Sequence, residues 1–411
     1  MPSENDLVKR ERYLSVLRPF KGNGNAKVVT GMRRCGKSSL LETFANSLRG
    51  DTNVISISME HSENAEKRPW RWLLDAVNDR LDPTKENVLI IDEVQGVAEW
   101  ELAVRDLIAK RKCDIYLTGS NSDLLSSEYS TYLGGRYNDV RMLPLAFSEC
   151  VEFHERYHGP ADPDDLLQRF VLVGGFPILW RFNHDVDSSI RTVRTLVDSS
   201  VNNDILNRYG VKNVEILMRI LRTVASTIGS YVSAINIFNT LRSAGVPVSK
   251  DTVYDYLGHL EAANIIIKTE ASDVRGRGVL RSTYKYYLAD LAIKHALTGY
   301  RPEDAPGHME NIILTELLGR GYDVHVGRVG DKEVDFVADK WNERVYVQAC
   351  KEIASGGTFK REFGNLESIN DSHPKYVVMM NAGMYRGVTS KGIICCSLRE
   401  FLEMENYSMV F

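Results

Sequence analysis

A chain of 411 residues exceeds one ordinary core and implies roughly two to four domains. A net charge of −4 excludes a surface built throughout to coat nucleic acid, while leaving room for a local basic patch. No run approaches ~18 consecutive apolar residues, so neither a signal peptide nor a membrane span is expected. The six cysteines have neither zinc-site nor disulfide-framework spacing, which makes a reduced, cytoplasmic setting the expectation.

The first predicted elements are a short β-branched strand and an amphipathic helix beginning near Lys37. Between and across them run Gly31, Met32, Arg33, Arg34, Cys35, Gly36, Lys37, Ser38 and Ser39, with the spacing of a phosphate-binding loop. Glycines let backbone N–H groups turn inward around phosphate oxygens. Lys37 supplies charge to the β and γ phosphates, Ser38 a hydroxyl to Mg²⁺, and the helix amino terminus a favourable dipole. Arg33 and Arg34 reach phosphate or acidic side chains, or are simply solvated, and Cys35 would make the loop oxidation-sensitive. No guanine-specific motif is present, which favours ATP.

The run "NVLIIDEV" (87–94) is a continuous apolar strand, as suits a central parallel strand covered on both faces. It ends in Asp92, placed to hold Mg²⁺, and Glu93, placed to polarise an attacking water. A helix (97–111) leads to a third strand, "CDIYLTGSN" (113–121). There Ser120 or Asn121 faces the γ-phosphate as a sensor, or forms an ordinary turn or helix cap. Arg136, after Gly135, precedes another strand. It is either an arginine finger acting on the nucleotide of a neighbouring subunit, which would make a homo-oligomer, or a structural salt bridge.

These motifs, followed by "VLVGGFPILW", occur in the order found in a prokaryotic family of AAA-type P-loop ATPases with a carboxyl-terminal domain of unknown function, which the chain resembles along nearly its whole length. The resemblance implies an AAA core over residues 1–148, a helical lid over 149–212, a winged-helix segment over 213–300 and a nuclease-like fold over 301–411. It also implies Gly31, Gly36, Lys37 and Ser38 at the phosphates, Asp92 and Glu93 at metal and water, Ser120 and Asn121 on the sensor segment, and Arg136 at its Gly-Arg position. The turn "GGFP" (174–177) matches the family too, with no role beyond helix punctuation derivable from it. The expected fold class is α/β: an AAA-type parallel sheet with a helical lid, then a winged helix, then an α/β nuclease-like domain.

In the middle of the chain, a helix ending at Gly245 is followed by a second, capped by Ser249, whose apolar face is Val253, Tyr256, Leu257 and Leu260. Two strands with a basic, glycine-rich tip follow, and the whole reads as a winged helix. Asp251, Asp255 and Glu261 make the would-be recognition helix a poor surface for DNA. The candidate DNA contacts are Lys250 and, on the wing, Arg275, Arg277, Arg281 and Lys285.

The last third has the order of a PD-(D/E)xK nuclease core, in which a helix acid and two strand carboxylates bind Mg²⁺ and a lysine assists. Glu310 and Asp335 match two ligands. Gln348 stands where the second strand acid belongs and Cys350 where the lysine belongs. Lys351 falls on the opposite face of a regular strand. A lost charge weakens a hard-cation site, so the expectation is a retained fold with lost cleavage chemistry. The functional expectation is therefore an ATP- and Mg²⁺-using switch or motor coupled to DNA. The alternative is a regulatory ATPase whose carboxyl-terminal half docks a protein partner, and a third reading is an ATP-gated nuclease.

Overall fold

The computed structural model describes residues 8–48, 50–60, 68–125, 133–274, 279–352 and 356–407. They fall into two compact units, one of residues 1–143 with 262–264 and one of residues 144–261 with 265–411. No helix among the described residues is long and apolar enough to cross a membrane.

In the first unit, α1 (Glu11–Leu17) precedes β1 (Ala26–Thr30), α2 (Lys37–Leu48), β2 (Thr52–Ser58), α3 (Trp70–Asn78), β3 (Glu86–Asp92), α4 (Trp100–Ala109), β4 (Asp114–Gly119) and β5 (Tyr137–Arg141). The five strands make one parallel sheet in the order β2-β3-β4-β1-β5. The continuous apolar run of β3 follows from burial on both sides. Leu89 and Ile91 join one core with Val28, Leu117 and residues of α3 and α4. Val88 and Ile90 join another with Val29, Tyr116, Phe44 and residues of α1. Successive side chains point to opposite faces, so a strand covered twice needs apolar residues at every position. All parallel strands therefore end on the same edge, and that edge carries the loop after β1 and the acidic pair after β3.

The second unit begins with four helices: α5 (Phe147–His158), α6 (Pro163–Val173), α7 (Pro177–Phe182) and α8 (Val186–Ser200). Then come α9 (Val214–Ser226), α10 (Ala234–Ser243), α11 (Lys250–Ala262), the hairpin β6 (Ile266–Asp273) and β7 (Val279–Leu288), and α12 (Leu291–Thr298). The remainder is α13 (Ala305–Gly319), β8 (Asp323–Val329), β9 (Lys332–Lys340), β10 (Glu343–Cys350), α14 (Gly356–Glu367), β11 (Lys375–Met379), β12 (Gly387–Val388), β13 (Ile393–Ser397) and α15 (Leu398–Glu403). Strands β6 and β7 were expected in a segment separate from the nuclease-like fold. They instead share one sheet with the strands of residues 323–397, whose order among the described residues is β12-β13-β11-β10-β9-β8-β6-β7. Strand β6 pairs in parallel with β8 through Ala271 opposite Val326, so the expected boundary at residue 300 falls inside one compact unit.

The "GGFP" turn acquires a role here. Gly175 N donates to Asp290 Oδ2 at 2.7 Å, Leu145 N donates to Gly175 O at 2.7 Å, and Trp180 Nε1 donates to Gly174 O at 2.8 Å. Asp290 also caps α12 by accepting from Ala292 N at 2.8 Å. The turn thus ties α5, α6, α7 and α12 together through backbone groups that would otherwise be buried without partners.

Burial raises the Asp290 carboxyl to about 7, against the two N–H donors that favour its anion. The folded chain holds this proton more tightly than the unfolded chain, whose value is near 3.8. Its contribution to stability is complete below that value and is lost as pH rises through about 7. His295 and His308, with rings 5.1 Å apart, act oppositely. Burial lowers both from 6.5 to about 4, so their contribution is complete above about 6.5 and lost as pH falls through about 4. Asp290→Asn is therefore expected to fall further below wild type at pH 5 than at pH 8 in urea unfolding. A deficit that grows with pH would contradict the assignment.

Candidate nucleotide-binding site

The loop after β1 is shaped by close approach. A Cβ on Gly31 would lie 2.2 Å from the Met142 carbonyl oxygen, so the chain passes there only as glycine. Buried Arg10 donates through Nη1 to Cys35 O at 3.0 Å and to Leu143 O at 3.1 Å. Tyr13 Oη accepts from Leu143 N at 3.0 Å, so residues on and just before α1 brace the loop against the exit of β5. Arg33 pairs with Glu60 at 3.2 Å, and Arg34 is exposed with φ 66°. Of the alternatives open for these two arginines, the acidic partner holds for Arg33.

Helix α2 starts at Lys37, and the N–H groups of its first turn have no preceding carbonyl to pair with. Lys37 Nζ donates to Gly31 O at 3.0 Å and Met32 O at 3.3 Å, and lies 3.6 Å from Glu93 Oε1. Ser38 Oγ donates to Asp92 Oδ1 at 2.7 Å, with Ser38 exposed and Asp92 half-buried. Hard oxygen donors at that spacing, open to solvent beside a helix amino terminus, fit a Mg²⁺ ion whose other ligands are waters and phosphate oxygens. Ser39, next on α2, is exposed. Met32 and Cys35 are buried, so their side chains are not open to a ligand.

Two groups at this edge carry no motif in the sequence. Thr118, fully buried on β4, donates Oγ1 to Asp92 Oδ1 at 2.6 Å and accepts from Glu93 N at 2.9 Å. Gln95 donates to Glu93 Oε2. Glu93 itself has φ 56°, a left-handed conformation unusual outside glycine and held here by those neighbours. Ser120 and Asn121 are buried, and Asn121 Oδ1 accepts from Asp123 N at 2.8 Å, as a turn cap does.

Arg136 lies at the other end of the sheet. Its carbonyl accepts from Ala26 N at 3.0 Å, at the start of β1, and it lines a groove of about 990 Å³ with Lys85, Glu86, Arg111 and Asp114. The length of β1 separates it from the loop, roughly 16 Å at 3.3 Å per residue. It therefore takes no part in its own subunit's site.

The expectation of an oxidation-sensitive Cys35 is corrected. Its Sγ sits 3.6 Å from Met142 O, and burial pushes the thiol up from its ordinary value despite nearby Lys37 and Arg10. In timed alkylation at pH 8 read by mass spectrometry, Cys35 is expected to react later than half-buried Cys113. Preferential early labelling of Cys35 would refute this.

A model of the AAA domain matches residues 23–151, and residues 164–304 match a Domain of unknown function (DUF8612). An uncharacterized protein of Haemophilus influenzae is 33% identical over 383 residues, covering 90% of this chain and 93% of that protein. The chain belongs to this protein's family, and its amino-terminal unit carries an AAA-type P-loop domain. An uncharacterized protein of Methanocaldococcus jannaschii is 25% identical over 342 residues, covering 80% of this chain and 75% of that protein. The solved structure of a Walker-type ATPase from Pyrococcus abyssi shares the fold at 18% identity with a TM-score of 0.52, covering 71% of this chain and 95% of that chain.

Beyond the AAA domain, the expected nuclease-like residues have other partners. Asp335 Oδ2 accepts from Ala349 N at 2.8 Å, and Gln348 Oε1 accepts from Asp335 N at 3.4 Å. Glu310, on α13, accepts from Tyr287 Oη at 2.8 Å and from Lys285 Nζ at 3.1 Å. Cys350 packs in an apolar cluster with Tyr346, Phe363 and Met379, whereas Lys351 is exposed beyond the end of β10. Among the described residues, no group of three or more His, Cys, Asp or Glu side chains converges to hold a metal ion.

Lys285, expected to meet DNA, is 2% exposed and pairs with Glu310 and with Glu333 at 2.8 Å, so it is removed from the candidate contacts. Burial pulls its pKa down, but the neighbouring carboxylates of Glu310, Asp335 and Glu333 outweigh this and hold it protonated. Lys250 is exposed and lies 5.7 Å from the Phe238 ring centroid. Arg275 and Arg277 lie outside the described residues, and Arg281 is on β7.

Proposed function

We propose that the chain is a Mg²⁺-dependent ATPase working as a nucleotide-driven switch or motor. The observation that carries this reading is the contact between Ser38 Oγ and Asp92 Oδ1 at 2.7 Å, with Lys37 and Glu93 beside it. Mg²⁺, when bound by Ser38 and Asp92, neutralises charge on the β and γ phosphates. Lys37 and the first-turn N–H groups of α2 hold the phosphate oxygens. Glu93 orients and polarises the attacking water, Gln95 and Thr118 fix its position, and Ser120 or Asn121 reports the γ-phosphate. Arg136, remote from its own loop, is assigned to a neighbouring subunit's nucleotide, so turnover depends on assembly.

In this reading helices α5–α8 are the lid, α10, α11 and the β6–β7 hairpin a winged helix, and β8–β13 with α13 a nuclease-like fold without cleavage chemistry. Coupling to DNA runs through Arg275, Arg277, Arg281 and Lys250. A second reading, docking of a protein partner by the carboxyl-terminal half, is favoured by one observation: Lys285 is buried while Asp251 and Asp255 on α11 are exposed.

Phosphate release by the full chain, with and without duplex DNA and at two salt concentrations, tests both, with Glu93→Gln as blank. Stimulation by DNA that fades with salt supports coupling to DNA. Turnover indifferent to DNA supports the protein partner, and no turnover above the blank in any condition removes the ATPase reading.

A further inference from the structure

The carboxylates that a divalent cation would need in the carboxyl-terminal sheet already surround a cation that is part of the chain. Lys285 Nζ lies 3.1 Å from Glu310 Oε2 and 2.8 Å from Glu333 Oε1, and its side chain is 3% exposed. Tyr287, two residues along β7 and thus on the same face, donates to the same oxygen of Glu310 at 2.8 Å. Asp335 and Gln348, the strand positions of the would-be metal site, spend an oxygen each on backbone N–H groups of the β9–β10 pair.

These distances suit an ammonium and not Mg²⁺. An ammonium directs three N–H bonds at oxygens about 2.8–3.1 Å away, whereas Mg²⁺ demands near-octahedral oxygens at about 2.0–2.1 Å and keeps several waters. The Lys285 ammonium already stands between the two carboxylates that would have to hold that shell. A divalent site among these residues would also have to dispose of the fixed positive charge in its midst.

We infer that the Lys285 ammonium, held between Glu310 and Glu333, supplies the cation beside Asp335, so that this sheet is neutralised from within and takes no divalent metal. The lysine comes from β7, outside the α13, β9 and β10 elements that carry the nuclease-like residues. It thereby fastens the β6–β7 hairpin to α13 and β9, in addition to the backbone ladder between β6 and β8. The inference rests on the second unit alone and is independent of the ATPase reading.

The test is Mn²⁺ binding to the full chain without nucleotide, followed by electron paramagnetic resonance. Wild type and Asp335→Asn are expected to give the same titration. Lys285→Met is expected to gain one Mn²⁺ site, absent again in Lys285→Met/Asp335→Asn. A Mn²⁺ site in wild type that Asp335→Asn abolishes would overturn the inference, as would a folded Lys285→Met that gains none. Should Lys285→Met not fold, the comparison of wild type with Asp335→Asn decides by itself: identical titrations uphold the inference and a lost site overturns it.

Discussion

Glu93→Gln is expected to lower ATP turnover by roughly 10²–10⁴-fold, the range lost with a group that handles the proton of the attacking nucleophile. Nucleotide binding should survive, because the amide keeps the shape of the side chain and the phosphates are held by Lys37 and the loop. Lys37→Ala should lose nucleotide binding as well as turnover. The ammonium lies within 3.6 Å of Glu93 and donates to two loop carbonyls, so its loss removes a phosphate charge and a brace of the loop together. Fluorescent-nucleotide binding alongside phosphate release separates the two variants. A Glu93→Gln protein turning over within tenfold of wild type would take Glu93 out of the chemistry.

The second large effect is on stability, in the "GGFP" turn. Gly175→Ala would place a Cβ 2.1 Å from the Leu145 carbonyl oxygen, and Gly174→Ala one 1.8 Å from Asp290 Oδ1 at a backbone φ of 70°. Neither contact relaxes by turning a flexible side chain, since one neighbour is backbone and the other is fixed by two N–H donors. Overpacking costs about 1–3 kcal/mol and each buried hydrogen bond displaced about 1 kcal/mol more, so each variant should lose about 2–5 kcal/mol. Gly159→Ala is the comparison, because Gly159 has φ 85° with nothing within 4 Å of its Cβ. With φ 85° and ψ 178° it should lose only the cost of a backbone conformation that suits glycine, about 1–3 kcal/mol. Urea midpoints of the three variants provide the check, and equal losses would show that steric approach in the turn is not what matters.

What the sequence made legible follows a physical pattern. The phosphate loop and the acidic end of β3 could be read because each is a local device. The first depends on a glycine spacing before a helix, the second on an unbroken apolar run closed by Asp92 and Glu93. Thr118 could not be found this way. Its contact with Asp92 exists because β4 lies beside β3 in the sheet, and strand order is not written in either segment. Reading Lys285 as a DNA contact failed for a related reason. Basic residues near a glycine-rich turn look solvent-facing in sequence, but β6 and β7 continue a sheet whose α13 brings Glu310 over the same face.

By itself, then, the sequence determined the phosphate-binding loop and the acidic pair that closes β3, since residue type and short spacing suffice for these. Tertiary structure decided where the charges go. It carried Arg136 to the far end of β1, closed Asp290 over a turn 115 residues away, and set Lys285 between Glu310 and Glu333. The last two outcomes depend on which buried polar groups meet, and burial without a partner costs too much for either to be left to chance.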